Sequence, residues 1–144
     1  MLNPSLSILS WVKSLIEIDT RERVEIIDIT SSIEEFVRRS SIENGICLVY
    51  TLHTTTGLTV NEAERGLIKD MCRLMSSLIP EGAGYLHDRI DSNAHAHLQA
   101  LLLGNSVTIP VDAGRPILGT WQRILFIELD GPRRRRLYCR TISE

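Results

Sequence analysis

Residues 45–62 read GICLVYTLHTTTGLTVNE, an apolar stretch followed by the densest run of polar side chains in the chain. The first nine residues are apolar on both faces, which predicts an interior strand or a strand with one face covered by another subunit. A lone histidine ends this strand, and three threonines and a glycine follow it. Connecting segments held by a rigid scaffold often carry function, so this stretch predicts a site beside the centre of a sheet.

The composition bounds the class of protein. The chain has 144 residues, 43% of them hydrophobic and 24% charged, which fits one globular domain over residues 1–144. A net charge of −2 argues against a nucleic-acid or membrane-surface partner. No apolar run approaches the roughly 18 residues of a membrane span, and no signal peptide is recognisable. Three cysteines without a C-x-x-C motif predict buried thiols and a reducing, cytoplasmic location.

The periodicity around this stretch predicts an α+β fold. Residues 13–20 and 22–30 alternate and predict an antiparallel hairpin, and Ser31 with Glu34 has the spacing of a capping box for the helix that follows. Asn44-Gly45 has the chemistry of a helix C-terminus. The further predicted elements are helices at 65–79 and 94–103 and strands at 106–111, 117–129 and 135–142. We therefore predict a mostly antiparallel sheet or β-sandwich with about three helices.

His53 and the residues after it form the first candidate constellation. Thr54 and Thr55 offer hydroxyls and backbone donors beyond the strand end, although a lone histidine in this position is more often structural. Asn61 is predicted to cap the next helix, with Glu64 as its reciprocal partner. Glu62 is left either to compensate the helix dipole or to act as a general base.

The second constellation is rich in histidine and carboxylate groups. If residues 94–103 are helical, His95 and His97 lie about 200° apart and cannot ligate one ion together. His97 is predicted to point near the buried side and His95 to be exposed. His53, His87 and His97 are therefore the candidate ligands of a divalent metal, zinc or magnesium, with an open position for water or substrate.

Two further constellations lie near the C-terminus. Trp121 in mid-strand is commonly a core or interface residue, but with Gln122 it predicts a stacking and hydrogen-bonding wall for a heterocycle. Four arginines at 133–136 are either a solvated hairpin end or a phosphate site in which Arg133 and Arg135 face one pocket. Asp130, in the turn before them, joins His53 and Glu62 as a candidate catalytic residue.

Several longer motifs resemble one family. They are IDITSSIEEFV at 27–37, LHTTTGLTVNE at 52–62, YLHD at 85–88, NAHAHL at 93–98, LLGNSVTIPVDAG at 102–114 and LGTWQRILFIELDGPRRRR at 118–136. In this order they resemble the YjbQ family, whose members carry the label of secondary thiamine-phosphate synthase. The block at 119–136 is the most specific, and the motifs extend over nearly the whole chain.

The resemblance implies a β-sandwich assembled as a homotrimer, with sites near subunit boundaries. It also implies a metal on the family's histidines, which match His53, His87 and His97. The implied activity is a weak transferase reaction that joins hydroxymethylpyrimidine diphosphate to thiazole phosphate, with loss of pyrophosphate. A metal-dependent hydrolase of a small phosphorylated metabolite and a non-catalytic small-ligand-binding trimer are the alternatives.

Overall fold

Two antiparallel sheets organise residues 14–144, the part of the chain that the computed structural model describes. A prediction of a short helix near the N-terminus lies outside these residues. The strands are β1 (Leu15–Asp19), β2 (Glu25–Asp28), β3 (Gly45–Thr51), β4 (Thr56–Asn61), β5 (Ser106–Asp112), β6 (Arg115–Pro116), β7 (Arg123–Glu128) and β8 (Arg134–Ser143). The helices are α1 (Thr30–Ser40), α2 (Arg65–Leu78) and α3 (Ala94–Leu103), with a 3₁₀ turn at Leu86–Arg89.

The sheets pack face to face and confirm the predicted α+β class. One has the strand order β1-β8-β3-β5-β6 and the other β2-β7-β4. In β3 every second residue is buried, because side chains alternate between the two faces of a strand. The core between the sheets and α1 combines residues of all three layers, among them Val49, Leu137, Phe126, Leu58 and Ile33. The other face of β3 stays partly open in the single chain, where Ile46 and Tyr50 are exposed.

Helices α2 and α3 lie on the outer side of the smaller sheet. Ala96 of α3 packs against Ile127 in β7 and Leu129 directly after it. The Gln99 side-chain amide donates to the carbonyl oxygens of Met75 and Ile79 and so ties the end of α2 to α3. A cavity of about 150 Å³ remains between α2 and the sheet. None of the helices within residues 14–144 is long and apolar enough to cross a membrane.

The predicted hairpin of the first two strands is wrong. β1 pairs with β8 in the larger sheet, and β2 pairs with β7 in the smaller one. Alternation of side chains identifies each strand but not its partner, and here each strand finds a long-range partner near the C-terminus.

The helix caps predicted at Ser31, Asn44 and Asn61 are also wrong. Helix α1 begins at Thr30 without a side-chain cap from its N-cap residue, Ile29. Instead Asp28 Oδ1 accepts from the Thr30 N–H and hydroxyl groups. The helix ends at the left-handed Ser41, so Asn44 takes no part in the cap. Helix α2 is capped by Glu64, whose carboxylate accepts two backbone N–H groups, whereas Asn61 belongs to β4.

Candidate functional site

The predicted site residues lie at two opposite ends of the smaller sheet. β4 and β7 are antiparallel, with Thr56 opposite Glu128 and Asn61 opposite Arg123. The five residue steps along β7 separate these pairs by roughly 17 Å. We name the first the arginine end (residues 53–56 and 128–136) and the second the tryptophan end (residues 61–62 and 119–123).

This geometry corrects the expectation that one chain brings all the candidates together. The arginine end holds six of them: His53, Thr54, Thr55, Asp130, Arg133 and Arg135. The tryptophan end holds three others, which lie in the loops next to β4 and β7: Glu62, Trp121 and Gln122. β7, which separates the two ends, is paired with β4 along its whole length, so the two groups do not meet within one subunit.

A buried ion pair organises the arginine end. Glu128 is fully buried, and its carboxylate accepts hydrogen bonds from Arg135 Nε at 2.7 Å and Nη2 at 2.6 Å. The same carboxylate accepts from the Thr20 hydroxyl and from the backbone N–H groups of residues 129 and 130. Arg135 Nη2 also donates to the Thr55 hydroxyl at 2.9 Å. The pair therefore joins β1, β7, β8 and the loop after β3.

The two arginines predicted to face one pocket occupy different environments. The Arg135 side chain is only 6% exposed and its fork is taken by Glu128, whereas that of Arg133 is 55% exposed. Arg133 donates to the Asp130 carbonyl oxygen at 2.9 Å and approaches its carboxylate at 3.3 Å. The prediction of a shared pocket is wrong in the single chain, because the buried carboxylate of Glu128, at the end of β7, draws Arg135 inward.

His53 is a half-buried residue that completes the ladder between β3 and β8. Its Nε2 atom accepts the backbone N–H of Arg136 at 2.8 Å. Burial is the main cause that lowers the pKa of His53 below its usual 6.5. The charges of Arg135, Arg136 and Arg133 lower this pKa further, and the charge of Glu128 opposes them. Positive charge therefore converges on a neutral imidazole beside the exposed Thr54.

A second chain of hydrogen bonds runs from Asp130 to the histidine cluster. The Asn93 amide donates to Asp130 Oδ2 at 2.9 Å, and its Oδ1 lies 3.1 Å from His87 Nε2. The His87 and His97 rings meet edge to face, with centroids 4.8 Å apart. The structure thus links Asp130, Asn93 and His87 into one network at the arginine end.

The predicted exposure of His95 is wrong. His95 is 7% exposed, and its buried Nδ1 has no hydrogen-bond partner in the described part of the chain. His97 is half-buried instead. The first turn of α3 sits against the sheet, so the position of the helix axis, rather than the helical period alone, decides which side is covered.

The three-histidine metal set fits the single chain only in part. No group of three or more His, Cys, Asp or Glu side chains within residues 14–144 is arranged to hold a metal ion. His87 and His97 are adjacent, which suits two ligands of one ion. His53 has its Nε2 lone pair engaged by a backbone N–H, so this nitrogen does not fit as a ligand.

Trp121 and Gln122 lie in a surface turn, so the prediction that Trp121 belongs to the middle of a strand is wrong. β7 begins only at Arg123, and Trp121 is 69% exposed in the turn before it. Gln122 Oε1 accepts the Gly119 N–H at 2.8 Å and closes that turn. Glu62 is half-buried in the short loop between β4 and α2. An exposed indole held on a closed turn is available for stacking.

Sequence reasoning missed Glu128 and Thr20, and it assigned no role of its own to Asn93, which lies in the histidine-rich cluster. A carboxylate inside the apolar run ILFIEL was a usable signal, because a buried charge needs a partner of opposite charge. The arginines that follow it by five to eight residues were the natural candidates. Asn93 and Thr20 carried no such signal, since their partners lie 37 and 108 residues away.

Comparison with known proteins identifies the relatives of this chain. The family described as UPF0047 protein YjbQ-like matches residues 14–144. A UPF0047 protein of Archaeoglobus fulgidus is 57% identical over 123 residues, which are 85% of this chain and 95% of the relative. YugU of Bacillus subtilis, another UPF0047 protein, is 40% identical over 89% of this chain and 97% of its own.

A solved structure agrees with the fold described above. The crystal structure of a YbjQ-like protein of unknown function from Sulfolobus solfataricus superposes with a TM-score of 0.88. It is 40% identical in sequence, and the match covers 90% of this chain and 95% of that one. The two-sheet arrangement is thus shared with a relative known from experiment.

Proposed function

The chain belongs to the YjbQ-like UPF0047 family, and from that premise we propose that it is an enzyme that binds a small phosphorylated metabolite at the arginine end. The observation that carries the proposal is geometric: Arg133 and Arg136 expose their side chains at the end of the sheet where His53 Nε2 accepts the Arg136 N–H. A cluster of positive charge in a chain of net charge −2 marks a local preference for anions.

The exposed groups at this end supply the donors that a phosphate needs. Two of the N–H groups of Arg133 are used by Asp130, and its side chain is more than half exposed. Arg136 and Thr54 are exposed beside His53. Arg135 holds the loop through Thr55 and takes no direct part in binding. Guanidinium groups match phosphate oxygens with paired hydrogen bonds, so Arg133 and Arg136 are the proposed phosphate ligands.

The proposed reaction is of the thiamine-phosphate-synthase type. The C–O bond of hydroxymethylpyrimidine diphosphate breaks, its electron pair leaves with pyrophosphate, and the thiazole nitrogen forms a C–N bond with the freed methylene carbon. Such a reaction needs positioning and stabilisation of the departing charge more than acid or base catalysis. A divalent ion held by His87 and His97 would add charge stabilisation to the leaving group.

A homotrimer would reunite the two ends. Trp121 and Gln122, proposed to contact the pyrimidine, and Glu62 lie at the tryptophan end, roughly 17 Å from the arginine end of the same subunit. A head-to-tail interface that closes into a ring places the arginine end of one subunit against the tryptophan end of its neighbour. We therefore propose that each site is shared by two of three subunits.

The test is a turnover assay with an anion-binding control. Purified protein is supplied with both substrates, and thiamine phosphate and pyrophosphate are quantified. Arg133→Ala is expected to weaken the binding of inorganic pyrophosphate, measured by calorimetry, and to reduce turnover at least tenfold. Arg73→Ala, at an exposed arginine on α2 that pairs with Asp70, is the matched control and is expected to leave both pyrophosphate binding and turnover unchanged.

Three outcomes separate the alternatives. Release of phosphate from either single substrate, without coupling, would replace the transferase by a hydrolase. Pyrophosphate binding without any turnover would leave a ligand-binding protein. Arg133→Ala protein that binds pyrophosphate as tightly as the wild type would overturn the anion site itself.

A further inference from the structure

We infer that His53 and His87 are held in opposite tautomers, so that His53 presents a hydrogen-bond donor to an anionic ligand and His87 presents a nitrogen lone pair. For its ligand this inference rests on the proposed function. The tautomers themselves follow from hydrogen bonds within the chain. The inference also makes Asn93 a positioning residue.

The tautomer of His53 follows from a partner that can only donate. A backbone N–H has no acceptor capacity, so the Nε2 atom that faces the Arg136 N–H must carry a lone pair. A neutral imidazole has one proton, which therefore sits on Nδ1. The Arg136 backbone cannot turn away, because its carbonyl oxygen accepts the Leu52 N–H at 3.3 Å. The backbone hydrogen bond between Leu52 and Arg136 therefore holds the Arg136 N–H in place against His53 Nε2.

The tautomer of His87 follows from a longer chain that starts at another obligate donor. The Arg133 guanidinium donates to the Asp130 carboxylate, which accepts only. The Asn93 NH₂ group must then face Asp130 Oδ2, and the Asn93 carbonyl oxygen faces His87. His87 Nε2 therefore carries the proton, and Nδ1 keeps the lone pair. Flipping the Asn93 amide would set two oxygens against each other.

The opposite tautomers assign opposite tasks. A histidine whose second ring nitrogen donates to an oxygen is the arrangement typical of metal ligands and of general bases, and His87 has it through Asn93. A cation bound to His53 Nε2 would leave the Arg136 N–H without its acceptor. A cation bound to Nδ1 would require the proton to move to Nε2, where it would face the Arg136 N–H. His53 therefore leaves the predicted three-histidine set and joins the anion site through its Nδ1–H.

The experiment reads the tautomers directly in the full chain. Protein labelled with ¹⁵N histidine is studied by long-range ¹H–¹⁵N correlation at a pH where the imidazoles are neutral, and His53→Gln and His87→Gln assign the signals. We expect His53 to be protonated at Nδ1 and His87 at Nε2. His53 found protonated at Nε2, or His87 at Nδ1, overturns the inference.

Asn93 is tested by its effect on His87 alone. In Asn93→Ala the two ring ¹⁵N shifts of His87 are expected to move toward each other, because the tautomer is no longer fixed, while those of His53 stay in place. Asn105→Ala, at an exposed asparagine, is the matched control and changes neither. Unchanged His87 shifts in folded Asn93→Ala protein would refute the positioning role.

Titration with inorganic phosphate separates this inference from the proposed function. We expect phosphate to shift the His53 Nδ1–H signal more than any His87 signal. Wild-type protein that binds no phosphate overturns the proposed anion site even with both tautomers as assigned. Phosphate binding with a Nε2-protonated His53 overturns the tautomer inference and leaves the anion site standing.

Discussion

At the scale of single residues, Glu128 decides the geometry of the arginine end. Its carboxylate collects donors from Thr20, Arg135 and two backbone N–H groups, and none of its surface is exposed. Desolvation opposes its ionisation, but the hydrogen bonds and charge of Arg135, with further help from the Asp130 N–H and the Thr20 hydroxyl, keep its pKa below the usual 4.5. Gly131 fits beside it because a Cβ there would collide with the Glu22 carbonyl oxygen.

Replacing Glu128 should destabilise the fold strongly. Glu128→Gln keeps the shape but leaves the buried Arg135 charge without its counter-ion, which costs roughly 3–5 kcal/mol of unfolding free energy. Urea denaturation measures the loss. Asp19→Asn removes one of the two carboxylate partners of the exposed Arg134 and is the control, with a much smaller expected change. Equal losses in the two variants would contradict the central role of the buried pair.

His53 should make stability depend on pH in a defined direction. Its pKa is lowered in the folded protein, so the native state resists the proton that the unfolded chain accepts below about pH 6.5. Stability is then complete above pH 6.5 and declines as pH falls through the lower native pKa. His53→Gln removes this contribution. Urea unfolding between pH 8 and pH 5 should show a smaller change of unfolding free energy with pH for the variant than for the wild type. Equal changes in the two proteins would disprove the contribution of His53.

At the scale of elements, the close contact of α3 with β4 sets the position of the histidine cluster. Gly57 lies under Leu103, and a Cβ at residue 57 would come within 2.7 Å of the Leu103 Cβ. The helix can approach the strand because glycine has no side chain. The N-terminal turn of α3, with His95 and His97, is thereby held near the loop that carries Asp130.

Gly57→Ala should lower stability by about 1–3 kcal/mol, because the added methyl group overpacks this contact. Thermal and urea unfolding measure the effect. Adding Leu103→Gly to the first change should restore part of the loss, since it removes the Cβ and Cδ1 atoms of Leu103 that the new methyl group would meet. In Gly66→Ala, the control, the new methyl group meets only the movable Glu64 carboxylate. A Gly57→Ala protein as stable as the wild type would exclude the close approach.

At the scale of the whole molecule, the candidate residues form two half-sites at opposite ends of the smaller sheet. Several large apolar side chains are exposed in the single subunit. Leu101, Leu102 and Trp121 are each more than 60% exposed within the described residues. Exposed apolar patches mark interaction sites, which is consistent with the proposed ring.

Shared sites predict complementation between inactive variants. His53→Ala removes a side chain of the arginine end and Trp121→Ala removes one of the tryptophan end, so each variant alone should lose most turnover. After the two are mixed and allowed to exchange subunits, random assembly of a three-membered ring restores about a quarter of the sites. Light scattering should report a trimer throughout. Mixtures that regain nothing while the trimers exchange would show that each site lies within one subunit.

The sequence by itself determined the element order, most strand and helix bounds, the α+β class and the family. These depend on local periodicity and on long motifs, both of which are visible in one dimension. The helix predicted at 94–103, closed by Gly104, has the same bounds in the structure. The failures were the first hairpin, the caps around Ser31, Asn44 and Asn61, and the exposure of His95. The strand predicted at 117–129 begins only at Arg123, and Arg133 and Arg135 do not share a pocket.

Only the tertiary structure decided which polar groups meet. Arg135 turns inward because Glu128 is buried opposite it, and Trp121 is remote from His53 because β7 lies between them. The tautomers of His53 and His87 depend on partners 83 and 6 residues away. Strand pairing and burial are properties of distant contacts, and the same local pattern is compatible with several of them, so the site could not be assembled from the chain order alone.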